Sequence, residues 1–153
     1  MTLAAGTALV VLVLDQLTKA AALRQLSPGT PVGVVDGFFS LTLVMNPGLA
    51  FGMLSSTPTA WRWIVGLLSA AALSVLAMVG VRLLPTGGWM TRLALGFIFG
   101  GAVGNLIDRV AHGSVTDFVV WRVGSHVWPT FNVADAVLLV GVLGLLLLPK
   151  TAT

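Results

Sequence analysis

Four long apolar stretches alternate with polar, proline-bearing segments along the chain. They run over about residues 3–23, 63–84, 90–110 and 131–148, and no proline interrupts them. Each approaches the roughly 20 residues that an unbroken helix needs to cross about 30 Å of hydrocarbon. Trp61, Trp63 and Trp89 stand at segment starts, and Trp121 and Trp128 lie in the last loop, where interfacial belts favour tryptophan. The pattern predicts an α-helical integral membrane protein with four transmembrane helices in a single domain over residues 1–153.

The loops are unequal. The second and third spans are joined by a short turn from Pro85 to Trp89, whereas the other two loops are long and share the opposite face. In the first long loop, Val32–Val35, Asp36-Gly37 and Phe38–Val44 read as a β-hairpin with an Asp-Gly turn. Its Val and Phe content predicts that it lies against the membrane surface. The second long loop opens with a β-like run from Val115 to Trp121. An even number of spans places both termini on one side. The termini side carries three basic residues (Arg82, Arg92, Lys150), and the long-loop side carries five (Lys19, Arg24, Arg62, Arg109, Arg122). That count alone would turn the long loops toward the cytoplasm. Lys19 and Arg109, however, neighbour Asp15 and Asp108, which makes them candidate site residues rather than topology signals.

Composition sharpens the class. Of 153 residues 57% are apolar and only 8% charged, with eight Lys+Arg and five acids, all of them Asp. Mean hydropathy is +1.02. A soluble domain carries about 25% charged residues, so thirteen charges exclude a soluble globule, and the high hydrophobicity excludes disorder. With no Cys, disulfides, thiolate nucleophiles and thiolate metal sites are excluded, and two His make a His-rich metal centre a poor expectation. The pI of 10.7 reflects scarce acid, since no Lys/Arg cluster marks a nucleic-acid surface.

The informative residues are the polar ones in or beside the spans, because each misplaced charge costs about 2.5–3.5 kcal/mol on insertion scales. They are Asp15 and Lys19, Asn105, Asp108 and Arg109, and Asn132 and Asp135, with Asn46 and Asp117 just outside. Asp15/Lys19 are i,i+4, while Asn105/Asp108 and Asn132/Asp135 are i,i+3, so each pair shares one helix face. Such groups also glue bundles together, and Asp15/Lys19 reads as structural rather than catalytic. Gly96, Gly100 and Gly104 form a helix-packing stripe. Asp117 and Asp135 have no adjacent cation in sequence. Two carboxylates brought close cannot both ionise, so one can take a proton from water while the other polarises a carbonyl. Their spacing of 18 residues does not establish that they meet.

Five blocks in order resemble the bacterial lipoprotein signal peptidases, also called signal peptidase II. They are Asp15-Gln16-Leu17-Thr18-Lys19, Asn46-Pro47-Gly48-Leu49-Ala50-Phe51-Gly52, the run Gly100–Arg109, Val115-Thr116-Asp117-Phe118, and the run Trp128–Asp135. The resemblance implies a membrane aspartic endopeptidase that removes signal peptides from diacylglyceryl-modified prolipoproteins, cutting N-terminal to the lipidated cysteine. It implies Asp117 and Asp135 as the catalytic pair, and Asn46, Asn105, Arg109 and Asn132 around the substrate main chain. It implies Asp15, Lys19 and Asp108 as a polar support shell, no cofactor and no metal. The implied partners are prolipoproteins and membrane lipids, with no nucleic acid and the chain as a monomer. The implied place is the bacterial plasma membrane, with cytoplasmic termini, an extracytoplasmic site, and the hairpin as a cradle in the first long extracytoplasmic loop. Leu49, Pro47 and Thr116 depart from the family's usual residues and bear on the shape of the cradle.

Two rivals remain at this point. A small proton- or cation-conducting membrane protein could use Asp15, Asp108 and Asp135, but would need them at mid-bilayer depth and leaves Asp117 without a role. A serine protease on Ser125 with His126 or His112 lacks a nucleophile turn.

Overall fold

A computed structural model describes residues 2–48 and 59–148, with side chains from residue 64 in the second stretch. Part of the second matching block, Leu49–Gly52, lies outside the described residues, as do Pro149 and Lys150 and the side chains of Trp61, Arg62 and Trp63. The elements in chain order are α1 (Thr2–Gln25), β1 (Val32–Val35), β2 (Phe39–Asn46), α2 (Thr59–Leu83), α3 (Trp89–His112), β3 (Val115–Val123), β4 (His126–Val127) and α4 (Val133–Leu147).

Among the described residues three helices, α1, α2 and α3, are long and apolar enough to cross a membrane. The fourth predicted span, 131–148, forms a shorter helix of 15 residues, about 22 Å long at 1.5 Å per residue. It starts late because Phe131 is still in β-pairing with Val119 and Asn132 caps the helix.

The helices pack through backbone contact rather than large apolar side chains. α3 is the central element, with Ala94, Leu95, Ile98, Asn105 and Asp108 buried together with four glycines. A Cβ on Gly96 would lie 2.8 Å from the Ala4 carbonyl oxygen, and one on Gly100 2.7 Å from that of Ala8. A Cβ on Gly101 would meet the Ala134 carbonyl oxygen at 2.6 Å, and one on Gly141 that of Ala94 at 2.7 Å. The predicted stripe is therefore present and serves α1, while Gly101 on α3 and Gly141 on α4 do the same between those two helices. Small residues let helices in lipid approach closely where the hydrophobic effect offers no drive. The outward faces are apolar and exposed, Leu17 at 62% and Leu67 at 70%, as a lipid-facing surface requires.

The two long loops fuse into one antiparallel sheet of order β1-β2-β3-β4. The predicted hairpin turns at Asp36-Gly37, where Gly37 takes φ 71 and Phe38 N–H closes on Val35 O. The sequence did not show that β2 and β3 pair. Their register sets Val44 opposite Asp117 and Asn46 opposite Val115. The first four residues of β3 are buried and its last three exposed, so the strand starts inside the bundle mouth and climbs out of it. At the outer end Phe38 stacks on Trp121, which meets Phe131 edge-on at 5.1 Å.

Candidate active site

Two arms bring Asp117 and Asp135 to the bundle mouth. β3 carries the first and the N-terminus of α4 carries the second. A bridge between Val119 and Phe131 zips the arms together: Val119 N–H donates to Phe131 O at 2.8 Å, and Phe131 N–H returns the bond at 3.1 Å. The next residue, Asn132, then faces Asp117 across the seam.

Asn132 is fully buried and touches both carboxyl groups. Its Nδ2 donates to Asp117 Oδ1 at 2.7 Å, and its backbone N–H donates to Asp135 Oδ2 at 3.3 Å. Its Oδ1 accepts from Asp135 N–H at 3.0 Å, completing a capping box. The i,i+3 pair Asn132/Asp135 therefore does not share a helix face as the spacing suggested. Asn132 is the cap and Asp135 the third helical residue. Asn105 adds a second link, with Nδ2 donating to Asp135 Oδ1 at 2.7 Å and Oδ1 accepting from Asn132 Nδ2 at 3.2 Å. From β2, Asn46 Nδ2 donates to Asp117 Oδ2 at 3.0 Å. An Asx turn, with Gly48 N–H on Asn46 Oδ1 at 2.9 Å, fixes which end of that amide faces the acid.

Asp117 is buried, 2% exposed, whereas Asp135, Asn46 and Arg109 remain partly exposed and mark the open side of the site. Burial pushes the Asp117 carboxyl up to about 6, and the nearby Asp135 charge pushes the same way. The Asn46 and Asn132 amides and the Lys19 charge oppose this. Arg109 NH1 donates only to Asn105 O at 3.3 Å, and its Nε is buried without a partner. Among the described residues Arg109 makes no ion pair with any carboxylate.

Beneath the pair lies a fully bonded charge cluster. Lys19 Nζ contacts Asp15 Oδ2 at 2.9 Å, Asp108 Oδ2 at 3.3 Å and Asn105 Oδ1 at 2.9 Å. Asp15 Oδ1 accepts from Ala134 N–H at 3.0 Å, and Asp108 Oδ2 from Thr116 N–H at 2.8 Å. Gln16, which sequence reasoning left out of the site, spans Asp15 Oδ2 at 3.2 Å and Asp108 Oδ1 at 3.3 Å. A glutamine inside an apolar span, beside Asp15 in a matching block, was the signal available. All nine predicted site residues converge on this one region. Ser125 and His126 lie on the exposed outer hairpin, and His112 is exposed at the end of α3.

The likenesses agree with this picture. A model of the family described as signal peptidase (SPase) II matches residues 7–149. A lipoprotein signal peptidase from Xanthomonas campestris pv. campestris (strain 8004) is 40% identical over 140 residues, 90% of this chain and 82% of its own length. One from Teredinibacter turnerae (strain ATCC 39867 / T7901) is 43% identical over 136 residues, covering 89% and 80%. Two solved bacterial membrane enzymes share the fold. One, at 1.9 Å resolution, has a TM-score of 0.79 at 27% identity over 100% of this chain and 96% of its own. The other, at 2.3 Å, has a TM-score of 0.76 at 28% identity over 95% and 86%. Nothing in these likenesses supports a conducting role for the buried acids. The chain belongs to the signal peptidase II family and is a membrane peptidase.

Proposed function

We propose that this protein is the aspartic endopeptidase that removes signal peptides from diacylglyceryl-modified prolipoproteins, with Asp117 and Asp135 as its catalytic pair. The observation that carries the reading is Asn132, one buried residue that donates to the Asp117 carboxyl from its side-chain amide and to the Asp135 carboxyl from its backbone N–H. Four carboxyl groups (Asp15, Asp108, Asp117, Asp135) share the region with two cations, Lys19 and Arg109. A proton retained between Asp117 and Asp135 relieves that excess. Asp135 is the better seat for the negative charge. It lies in the first turn of α4, where the Asn132 backbone N–H donates to it, and helix N-termini favour anions. Asp117, buried on its strand, keeps the proton.

The chemistry follows from that division. The Asp135 carboxylate takes a proton from water as the water oxygen attacks the scissile carbonyl carbon. The Asp117 carboxyl gives its proton to the carbonyl oxygen. Collapse of the tetrahedral intermediate then breaks the C–N bond, with a proton passing to the departing amine. Arg109 and Asn46 line the open side and hold the substrate main chain, while the buried Asn105 and Asn132 hold the two carboxyl groups. Asp15, Lys19 and Asp108 support the arms.

We read the four helices as four spans of one peptidase domain over residues 1–153, set in the bacterial plasma membrane with the site on the extracytoplasmic side. The chain acts as a monomer among lipids. The sheet's exposed Val34, Phe38, Trp121 and Trp128 suit a cradle lying on the lipid surface. A diacylglyceryl group tethers its peptide at that level, since each buried CH₂ contributes about 0.8 kcal/mol. The shortness of α4 supports a site recessed to meet it. The test is incubation of purified protein with a diacylglyceryl-modified prolipoprotein beside its unlipidated twin. Cleavage of the lipidated form alone is expected, and equal cleavage of both, or of neither, would refute the reading.

A further inference from the structure

Each catalytic arm is held by a buried carboxylate one residue ahead of its aspartate. Asp15 accepts from the N–H of Ala134, which precedes Asp135, and Asp108 accepts from the N–H of Thr116, which precedes Asp117. Both carboxylates bind the same ammonium, that of Lys19, which is 2% exposed. The remaining ammonium proton goes to Asn105 Oδ1 at 2.9 Å. With that oxygen occupied, Asn105 turns its Nδ2 to Asp135 at 2.7 Å. Exchange of the amide's two ends would set an acceptor against the carboxylate and a donor against the ammonium.

We infer that Lys19 is a positioning residue for hydrolysis: one buried ammonium ties together the two arms that carry Asp117 and Asp135, and orients the amide that donates to Asp135. The inference rests on the catalytic pair proposed above. A plainer role would be charge balance, Lys19 merely neutralising Asp15 and Asp108. The two roles separate when the charge is restored without the ammonium: loss of charge balance moves the pH limbs, whereas loss of positioning lowers kcat as well. The charged groups around the pair are Asp15 and Lys19 on α1, Asp108 and Arg109 on α3, Asp117 on β3 and Asp135 on α4, while β2 contributes only the neutral Asn46. Removing the Lys19 charge makes the pair hold its protons to higher pH, so both limbs of the activity profile move upward.

The test uses Lys19→Met and the double variant Lys19→Met/Asp15→Asn, purified in detergent and assayed per folded molecule on a diacylglyceryl-modified prolipoprotein. The double variant keeps the formal charge of the Lys19/Asp15/Asp108 trio at −1 and leaves an amide oxygen to accept from Ala134 N–H, so it carries the test should the single variant not fold. A positioning role predicts a folded double variant whose kcat is lower by at least about tenfold at little-changed KM, even though its pH limbs, with the formal charge kept, stay near those of wild type. Wild-type kcat in the double variant would reduce Lys19 to charge balance and overturn the inference. So would a rise in KM alone, or failure of the double variant to fold. Failure of the catalytic pair itself reads differently, as cleavage that survives Asp117→Asn or Asp135→Asn.

Discussion

The two arms reach the same point by different secondary structure. Asp117 sits on a strand that enters the bundle mouth edge-first, takes its donors from side-chain amides, and is fully enclosed. Asp135 sits in the first turn of a helix, takes one of its donors from the cap's own backbone, and stays partly exposed. Yet each is anchored by the same device, a buried carboxylate on the preceding N–H. Anchoring is thus symmetric while the electrostatics are not. Burial on the strand favours the neutral acid at Asp117, and the helix N-terminus is where the proposed mechanism places the base. In the proposed mechanism that difference divides the acid and base roles between two identical side chains.

The largest effect expected is loss of the pair. Asp117→Asn and Asp135→Asn should each lower cleavage by at least about 10³-fold, the upper range of general acid–base contributions, while the protein remains folded. Near-normal turnover in either variant would break the comparison. The arms should also differ in pH response. With Asp117 raised from 3.8 to about 6, the folded state holds more protons than the unfolded state across that window. Its contribution to stability is therefore lost as pH rises through the window. Asp117→Asn should flatten that part of the melting temperature against pH, as thermal scans in detergent at several pH values would show. The free enzyme's kcat/KM should fall as pH rises past about 6, where Asp117 gives up its proton.

Asn132 is the next test, since it serves both arms at once. Asn132→Ser keeps an N-cap oxygen, and Ser caps about as well as Asn, so the cap is retained and the stability lost is that of the buried Nδ2 bonds, about 1–3 kcal/mol. It loses the Nδ2 bonds to Asp117 and Asn105, and turnover should fall about 10²-fold, of the order seen when one preorganised donor is removed. Asn132→Ala should add about 1 kcal/mol of lost cap stability. Equal activity in the Ser variant and wild type would mean that Asn132 only caps the helix.

Much of this was legible in the sequence because lipid imposes long apolar runs on helices that cross it. The hairpin was legible from Asp36-Gly37. The nine polar residues stood out because so few others interrupt the spans. What local pattern could not give was the pairing of β2 with β3, which brings Asn46 to Asp117 across 71 residues, or the bond from Asp15 to Ala134 across 119. Such contacts are set by helix packing, not by periodicity. The late start of α4 was written in the capping box, Asn132 followed three residues on by Asp135. There the helix-face reading of an i,i+3 pair displaced the capping one.

Two glycines on neighbouring faces of α3 separate packing from site geometry. Gly100→Ala would press on the Ala8 carbonyl and on Val11, away from either arm. Gly101→Ala would press on the Ala134 carbonyl, one residue before Asp135. Both should destabilise by about 1–3 kcal/mol, as overpacking does. Only Gly101→Ala should also lower kcat per folded molecule, because it shifts the arm of Asp135. Matching kcat in the two variants would mean that the helix arm tolerates displacement.

The smallest effect belongs to the strand arm. Thr116 is fully buried, and its hydroxyl finds no partner, although its N–H is held by Asp108. A buried hydroxyl without a hydrogen bond costs about 1–3 kcal/mol relative to an apolar group of the same shape. Val has that shape, keeps the N–H to Asp108, and suits a strand. Thr116→Val should therefore leave turnover unchanged and raise the melting temperature by a few degrees. A drop in turnover with the fold intact would show that the hydroxyl reaches the site, and that the strand arm is tuned by more than its backbone anchor.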